Sequence, residues 1–126
     1  GRTEVFQTVF GCMPELSGKI YVEGKEYKVS SVQHAMKIGI GYVPRDREEN
    51  GIIKDMNIME NASIAVMPQL VRYGIIDKNM QKNKFNEFTQ NLRIKFGKET
   101  DLIGSLSGGN QQKVVLAKWL MAGPKV

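Results

Sequence analysis

Cysteine and histidine are almost missing from this chain of 126 residues: Cys12 and His34 each stand alone. One cysteine excludes a disulfide framework and a cysteine metal cluster, and a reducing interior fits best. Cys12 is therefore read as a small buried hydrophobe. With no second histidine, zinc coordination and triad chemistry have no support, so no metal ligand is expected. His34 is read as an exposed structural residue. No uninterrupted apolar run is long enough to span a bilayer, and no charged-then-apolar leader is seen, so no secretion or insertion signal is expected here. Repeats and low-complexity tracts are also missing. No run of four basic residues occurs, although the net charge is +5; the cations are scattered among acids, as in "PRDREEN". A solvated surface is the default reading of that excess, with an anionic ligand or partner in reserve.

What is present is a globular balance, 41% apolar and 25% charged, in a length that suits one domain with a real core. The chain starts "GRTEV" and stops at "AGPKV". We expect it to be an excised piece of something longer.

The patterning predicts a short helix over residues 4–10, ended by Gly11. "SGKIYVEGKEYKV" reads as a hairpin: Ile20 and Val22 alternate with polar neighbours, Glu23-Gly24 turns the chain, and Tyr27 and Val29 return. Ser30 or Ser31 caps a short helix carrying Val32, Ala35 and Met36 on one face, and Gly39 closes it. "IGYV" predicts a brief strand ended by Pro44. "NIMENASIAVM" predicts one helix from Asn57, stopped at Pro68. A further helix starts near Asp77 and places Phe85, Phe88, Leu92 and Phe96 on one core-facing stripe. "GKETDLIGS" reads as a loop, followed by a helix from Asn110 to Met121.

The stretch "SLSGGNQQKVVLAKWL" puts two glycines behind a serine at the mouth of that last helix. A helix start offers unpaired N–H groups and a partial positive charge, together a site for a phosphate. Ser107 adds a hydroxyl, and Gly108 and Gly109 have no side chain to hold a ligand away from the amides. Ser107 as an ordinary cap is the competing reading. Two consecutive glycines are a poor choice where only stability is wanted, and the same serine can cap and donate.

Leu106-Ser107-Gly108-Gly109 resembles the signature motif of ABC-type ATPases. Asn110, where most members have Gln, followed by Gln111-Gln112-Lys113, is similar to the ATP-binding subunits of simple-sugar importers of the ribose, galactose and xylose type. Gly1-Arg2-Thr3 resembles the last three positions of a phosphate-binding loop, G-x-x-x-x-G-K-[ST]. Arg2 holds the lysine position, and it is a planar fork rather than a compact point charge. "GIGYVPRDREENGI" resembles the stretch linking core to helical subdomain, with Arg45 in place of the usual glutamine. Both departures are the form seen in the second of two tandem ATPase halves.

The resemblance covers essentially the whole chain. It implies an α/β fold: a partial ABC-type, RecA-like core with an antiparallel β-hairpin and an α-helical subdomain, its core strands missing at both ends. Residues 1–56 would be the partial nucleotide-binding core with the hairpin, 57–105 the helical subdomain, and 106–126 the signature and its helix. Ile58, Met59 and Met67 are assigned to core rather than to contact with a permease. Two halves of such an ATPase close head to tail over two nucleotides. Gly1, Arg2, Thr3, Ser107, Gly108, Gly109 and Asn110 are thus the expected nucleotide-binding residues, with the signature serving ATP held by the other half. The implied cofactors are ATP and Mg2+, for the full-length protein rather than this piece. The implied partners are the other ATPase half, membrane permease subunits and, indirectly, an external sugar-binding protein, with no nucleic acid; the place is the cytoplasmic inner face of the plasma membrane.

Hydrolysis in this family needs an apolar strand ending in Asp-Glu and a later switch histidine. Neither is in the sequence, and His34 lies too early to be that histidine. No catalytic residue is therefore expected here, and the isolated chain should be inert. Two alternatives differ in class. An ABC ATPase acting on nucleic acid or the ribosome would carry a long coiled-coil insert or Gln after the second signature glycine, and this chain has short helices and Asn110. A non-enzymatic binding piece would be told apart by ATP affinity and hydrolysis. Nucleoside importers use similar subunits, so the sequence does not name the sugar.

Overall fold

Two hairpins in this chain turn on a residue–glycine pair in which both members sit at positive φ, Glu23 and Gly24 at 51° and 78°, Tyr73 and Gly74 at 52° and 77°. That is the primed two-residue turn whose twist matches the flanking strands. The computed structural model describes residues 1–14, 17–46 and 51–126. It divides into two units, Gly1–Tyr42 with Ala122–Val126, and Val43–Met121.

In the first unit, α1 spans Arg2–Val9 and ends as expected, with Gly11 at φ +83°. A Cβ on Gly11 would lie 2.6 Å from the Ser31 backbone, so glycine is demanded twice there. Phe10 is buried and tilts against the Tyr42 ring at 5.4 Å. Strands β1, Ile20–Val22, and β2, Lys25–Tyr27, pair antiparallel with Ile20 opposite Tyr27, which is the predicted hairpin. Helix α2, Val32–Lys37, is capped by Ser31, whose Oγ accepts from the His34 N–H at 3.1 Å. Among the described residues, Lys125 pairs with Glu23 at 2.7 Å, and that hydrogen bond holds the Lys125 ammonium above its ordinary pKa.

Three expectations fail in this unit. Cys12 is exposed, because it follows the Gly11 turn away from α1 rather than packing under it. His34 is half-buried, with Nδ1 3.3 Å from the Ser30 hydroxyl. "IGYV" forms no strand. Within it the Gly41 N–H donates to the Val126 carbonyl at 2.9 Å, while the Ile40 N–H is spent on the Ala35 carbonyl at 3.0 Å, too short a run for a ladder.

The second unit is built around three helices. Here α3 is Ile58–Ser63, α4 Met67–Leu70, α5 Lys78–Asn91 and α6 Gly108–Met121. Helices α3, α5 and α6 pack on one another. Ile58, Val66, Leu70, Phe85, Ile103, Val114 and Val115 are fully buried between them. Asp77 caps α5 as expected, accepting from the Met80 N–H at 3.0 Å.

The helix predicted from Asn57 to Pro68 is broken. Ser63 Oγ donates back to the Met59 carbonyl at 2.7 Å, a contact that bends helices, and residues Ile64–Val66 tighten into a 3-10 turn. Pro68 then sits in the first turn of α4, where its missing N–H costs nothing, instead of ending a helix. The aromatic stripe is corrected as well. Helix α5 ends at Leu92, Arg93 turns at φ 52°, and Phe96 returns from the following segment to meet Phe85 edge-on at 5.3 Å. The buried row of α5 is Gln81, Phe85 and Thr89, not Phe88. The hairpin β3–β4, Val71–Arg72 with Ile75–Ile76, was not foreseen at all.

Lys118 lies half-buried on α6, donating to the Gly51 carbonyl at 2.8 Å, and burial holds its pKa below the ordinary value. The unfolded chain therefore binds more protons between the folded value and 10.5, so this group makes stability rise with pH across that window. Lys125 has the opposite sign, but its stabilisation is fully present below 10.5 and is lost only above it. The urea midpoint of this chain should rise relative to Lys118→Met as the pH climbs toward 10.5. Parallel profiles for the two proteins would refute the assignment.

Candidate functional site

The start of α6 gathers Ser107, Gly108, Gly109 and Asn110 in one turn. Buried Leu106 anchors it from behind, while Ser107 and Gly109 face solvent. The Ser107 carbonyl accepts from the Gln111 N–H at 2.9 Å, and its hydroxyl accepts from the Asn110 N–H at 3.3 Å. Ser107 is thus the helix cap, and the capping reading of that serine holds.

The cap leaves donors over. Among the described residues, the N–H groups of Gly108 and Gly109 have no protein partner. The start of α3 is the instructive contrast. There Ile58 and Met59 donate to the carbonyls of Asp101 and Glu99 at 3.0 and 3.1 Å, and Glu60 donates to Asn57 Oδ1 at 2.8 Å. A helix start that the fold itself completes has its donors used up. The start of α6 keeps two free, beside an exposed hydroxyl.

Gly109 is not there for the fold. Gly109 is not at positive φ, and a Cβ on it would meet nothing within 4 Å. Compare Gly11, where backbone lies in the way. The space beside Gly109 is open on the solvent side, and this chain's own packing has no use for it. The residues present therefore fit one side of a phosphate group: two N–H donors, a hydroxyl and the positive end of a fourteen-residue helix.

A feature not legible in the sequence is the segment that follows α5. The Lys95 N–H donates to Asn110 Oδ1 at 3.0 Å, and Lys113 Nζ donates to the Arg93 carbonyl at 3.2 Å. These two bonds tie the backbone at Lys95 to the turn and the Lys113 ammonium to the backbone at Arg93. The basic spacing in "RIKFGK" was visible; that it folds back onto "SGGN" was not. Glu99, nearby in sequence, has its pKa held down by a backbone hydrogen bond and by Lys82 at 3.3 Å.

The remaining expected residues lie elsewhere. Gly1, Arg2 and Thr3 open α1 in the first unit and are exposed, with the Gly1 amino group paired to the Glu4 carboxylate. That contact holds the Glu4 pKa below its ordinary value. Arg45 belongs to the second unit, exposed at the bend after buried Pro44. Residues 47–50 of the linking stretch lie outside the described residues. No helix among the described residues is long and apolar enough to cross a membrane.

Comparison with known proteins agrees with the geometry. The ABC transporter family model matches residues 1–126. The ribose import ATP-binding protein RbsA of Rhodococcus jostii is 43% identical over the full chain, and that of Streptococcus agalactiae 39%. A putative ribose/galactose/methyl galactoside import ATP-binding protein of Agrobacterium fabrum is 40% identical. The whole chain aligns in each case, but it spans only 25% or 26% of the length of these relatives. With its whole length matched and an exposed, capped Ser-Gly-Gly turn at the mouth of α6, the chain belongs to the ABC transporter family, as part of an α/β ATP-binding domain.

Proposed function

We propose that this chain is part of the second nucleotide-binding half of an ATPase subunit that powers import of a simple sugar of the ribose or galactose class. The single observation that carries the reading is the pair of unpartnered N–H groups at Gly108 and Gly109 beside the exposed Ser107 hydroxyl. The names of the relatives, ribose and ribose/galactose/methyl galactoside import ATP-binding proteins, supply the sugar class.

ATP, bound with Mg2+, supplies the energy of its terminal phosphate bond. This chain's share is recognition. Ser107 donates its hydroxyl, Gly108 and Gly109 donate backbone N–H, and Asn110 holds the turn, all toward ATP carried by the other half. Gly1, Arg2 and Thr3 belong to a second, weaker site, because arginine there cannot serve as the compact charge that lysine provides. Arg45 occupies the linking loop. In this division residues 1–56 form the nucleotide-binding core, 57–105 the helical subdomain that meets the permease, and 106–126 the signature and its helix. The other half and the permease are the direct partners, with a sugar-binding protein acting through the permease. The place of work is the inner face of the plasma membrane. The piece alone is inert as an ATPase.

The asymmetry gives the test. In the full-length protein, Arg2→Ala should lower ATP-driven ribose or galactose uptake by no more than about threefold, equivalent to about 0.7 kcal/mol. Uptake lost as completely as on damage to Gly109 would overturn the assignment of the two sites.

A further inference from the structure

Asn110 makes two side-chain bonds with opposite ends of its amide. Oδ1 accepts from the Lys95 N–H at 3.0 Å, and Nδ2 donates to Ser107 Oγ at 3.0 Å. The orientation is fixed chemically, since a backbone N–H can only donate, so the oxygen must face Lys95 and the nitrogen must face Ser107. Ser107 Oγ also accepts from the Asn110 backbone N–H at 3.3 Å. A serine hydroxyl has two lone pairs and one proton. Both lone pairs are taken by Asn110.

We infer that Asn110 is a positioning residue that converts Ser107 into an obligate hydrogen-bond donor, and so makes the turn selective for an anionic oxygen. The inference rests on the phosphate-binding reading above. With its lone pairs occupied, the Ser107 hydroxyl cannot accept from water or from a neighbouring N–H. What remains is its proton, which a phosphate oxygen takes in a short, charge-assisted bond. The Lys95 N–H is the second element of the device, since it keeps the amide from rotating. Asn110 itself need not touch the nucleotide. Its donor nitrogen is spent on Ser107 and its acceptor oxygen on Lys95.

The test is a double-mutant cycle on ATP hydrolysis by the full-length protein assembled with its permease, reading kcat and KM for ATP. Ser107→Ala should lower kcat/KM about tenfold, and Asn110→Ala about fivefold. In the Ser107→Ala background Asn110→Ala should change it by less than about 1.5-fold, because the group it acts through is gone. In a Ser107→Thr background, which keeps the hydroxyl, the loss of about fivefold should return. Thermal unfolding of each variant separates this from loosening of the turn, which would cost the same in every background. If Asn110→Ala unfolds the turn, Asn110→Asp replaces it. The carboxylate still accepts from Lys95 but takes the Ser107 proton, so the loss should be at least as large and should need Ser107. An Asn110 effect of equal size with and without the Ser107 hydroxyl overturns the inference while leaving the phosphate site standing. An unchanged Ser107→Ala enzyme overturns the phosphate reading and the inference with it.

Discussion

Gly109→Asp in the full-length protein should abolish ATP-driven sugar uptake while leaving the helical unit at least as stable as before. The two effects come from the same place on α6 and have opposite signs. For the fold, the site is permissive: backbone conformation is not left-handed, and a Cβ meets nothing within 4 Å. Losing glycine from a helix gains about 0.5 kcal/mol, and a carboxylate in the first turn gains a further 0.3–1 kcal/mol from the helix dipole. The urea midpoint of this chain should therefore hold or rise. For a bound phosphate the same carboxylate is a like charge placed over two N–H donors, and it fills the space the phosphate needs. Uptake should fall by about a hundredfold or more, which is about 2.7 kcal/mol of lost stabilisation. Retained uptake would sink the phosphate reading. A variant that loses uptake and stability together would return the glycines to a folding role.

Asn61→Leu should destabilise the second unit by about 2–4 kcal/mol in urea unfolding of this chain. Asn61 is 3% exposed, and leucine matches its count and branching of side-chain heavy atoms while removing every polar group. Its Oδ1 accepts from the Ile53 N–H at 2.7 Å. Its Nδ2 donates to the carbonyls of Ile53, Met56 and Asn57 at 3.0, 3.2 and 3.0 Å. One side chain thus satisfies the backbone of the segment that leads into α3. Leucine would leave the Ile53 N–H and those carbonyls short of partners next to a packed interior. Asn61→Asp should cost at least as much, because it keeps the acceptor, removes both donors and adds a charge. A loss below about 0.5 kcal/mol would mean that water replaces the amide at little cost.

Local chemistry was legible wherever one or two neighbouring residues decide the backbone. Glu23-Gly24 announced the first hairpin, the Ser30-Ser31 pair, of which Ser31 is the cap, and Asp77 announced their helices, and Gly39 closed α2 at φ +95°. The signature turn was legible for the same reason, since the serine cap, the glycines and the helix behind them are contiguous. Failures fall where a distant partner decides. Tyr73-Gly74 is not one of the usual turn pairs, and a bulky residue at φ 52° is uncommon, so the second hairpin had no local signal. Ser63 breaks its helix in concert with Gln81, whose Nε2 donates to the same hydroxyl at 2.9 Å from α5. Cys12 is exposed although cysteine is commonly buried, because a glycine turn carries it past the helix.

By itself, the sequence determined the family, the α/β class, the caps and the residues at the mouth of α6, because each of these is carried by contiguous residue types. Tertiary structure alone decided what those residues are free to do. Whether Gly109 needed to be glycine depended on the space around it. Whether the α6 N–H groups were spent depended on which carbonyls came near, as they do at α3 and do not at α6. Which way Ser107 must donate depended on Lys95, fifteen residues before Asn110 in the chain. Hydrogen-bond partners are chosen by distance in space, and only folding sets that distance.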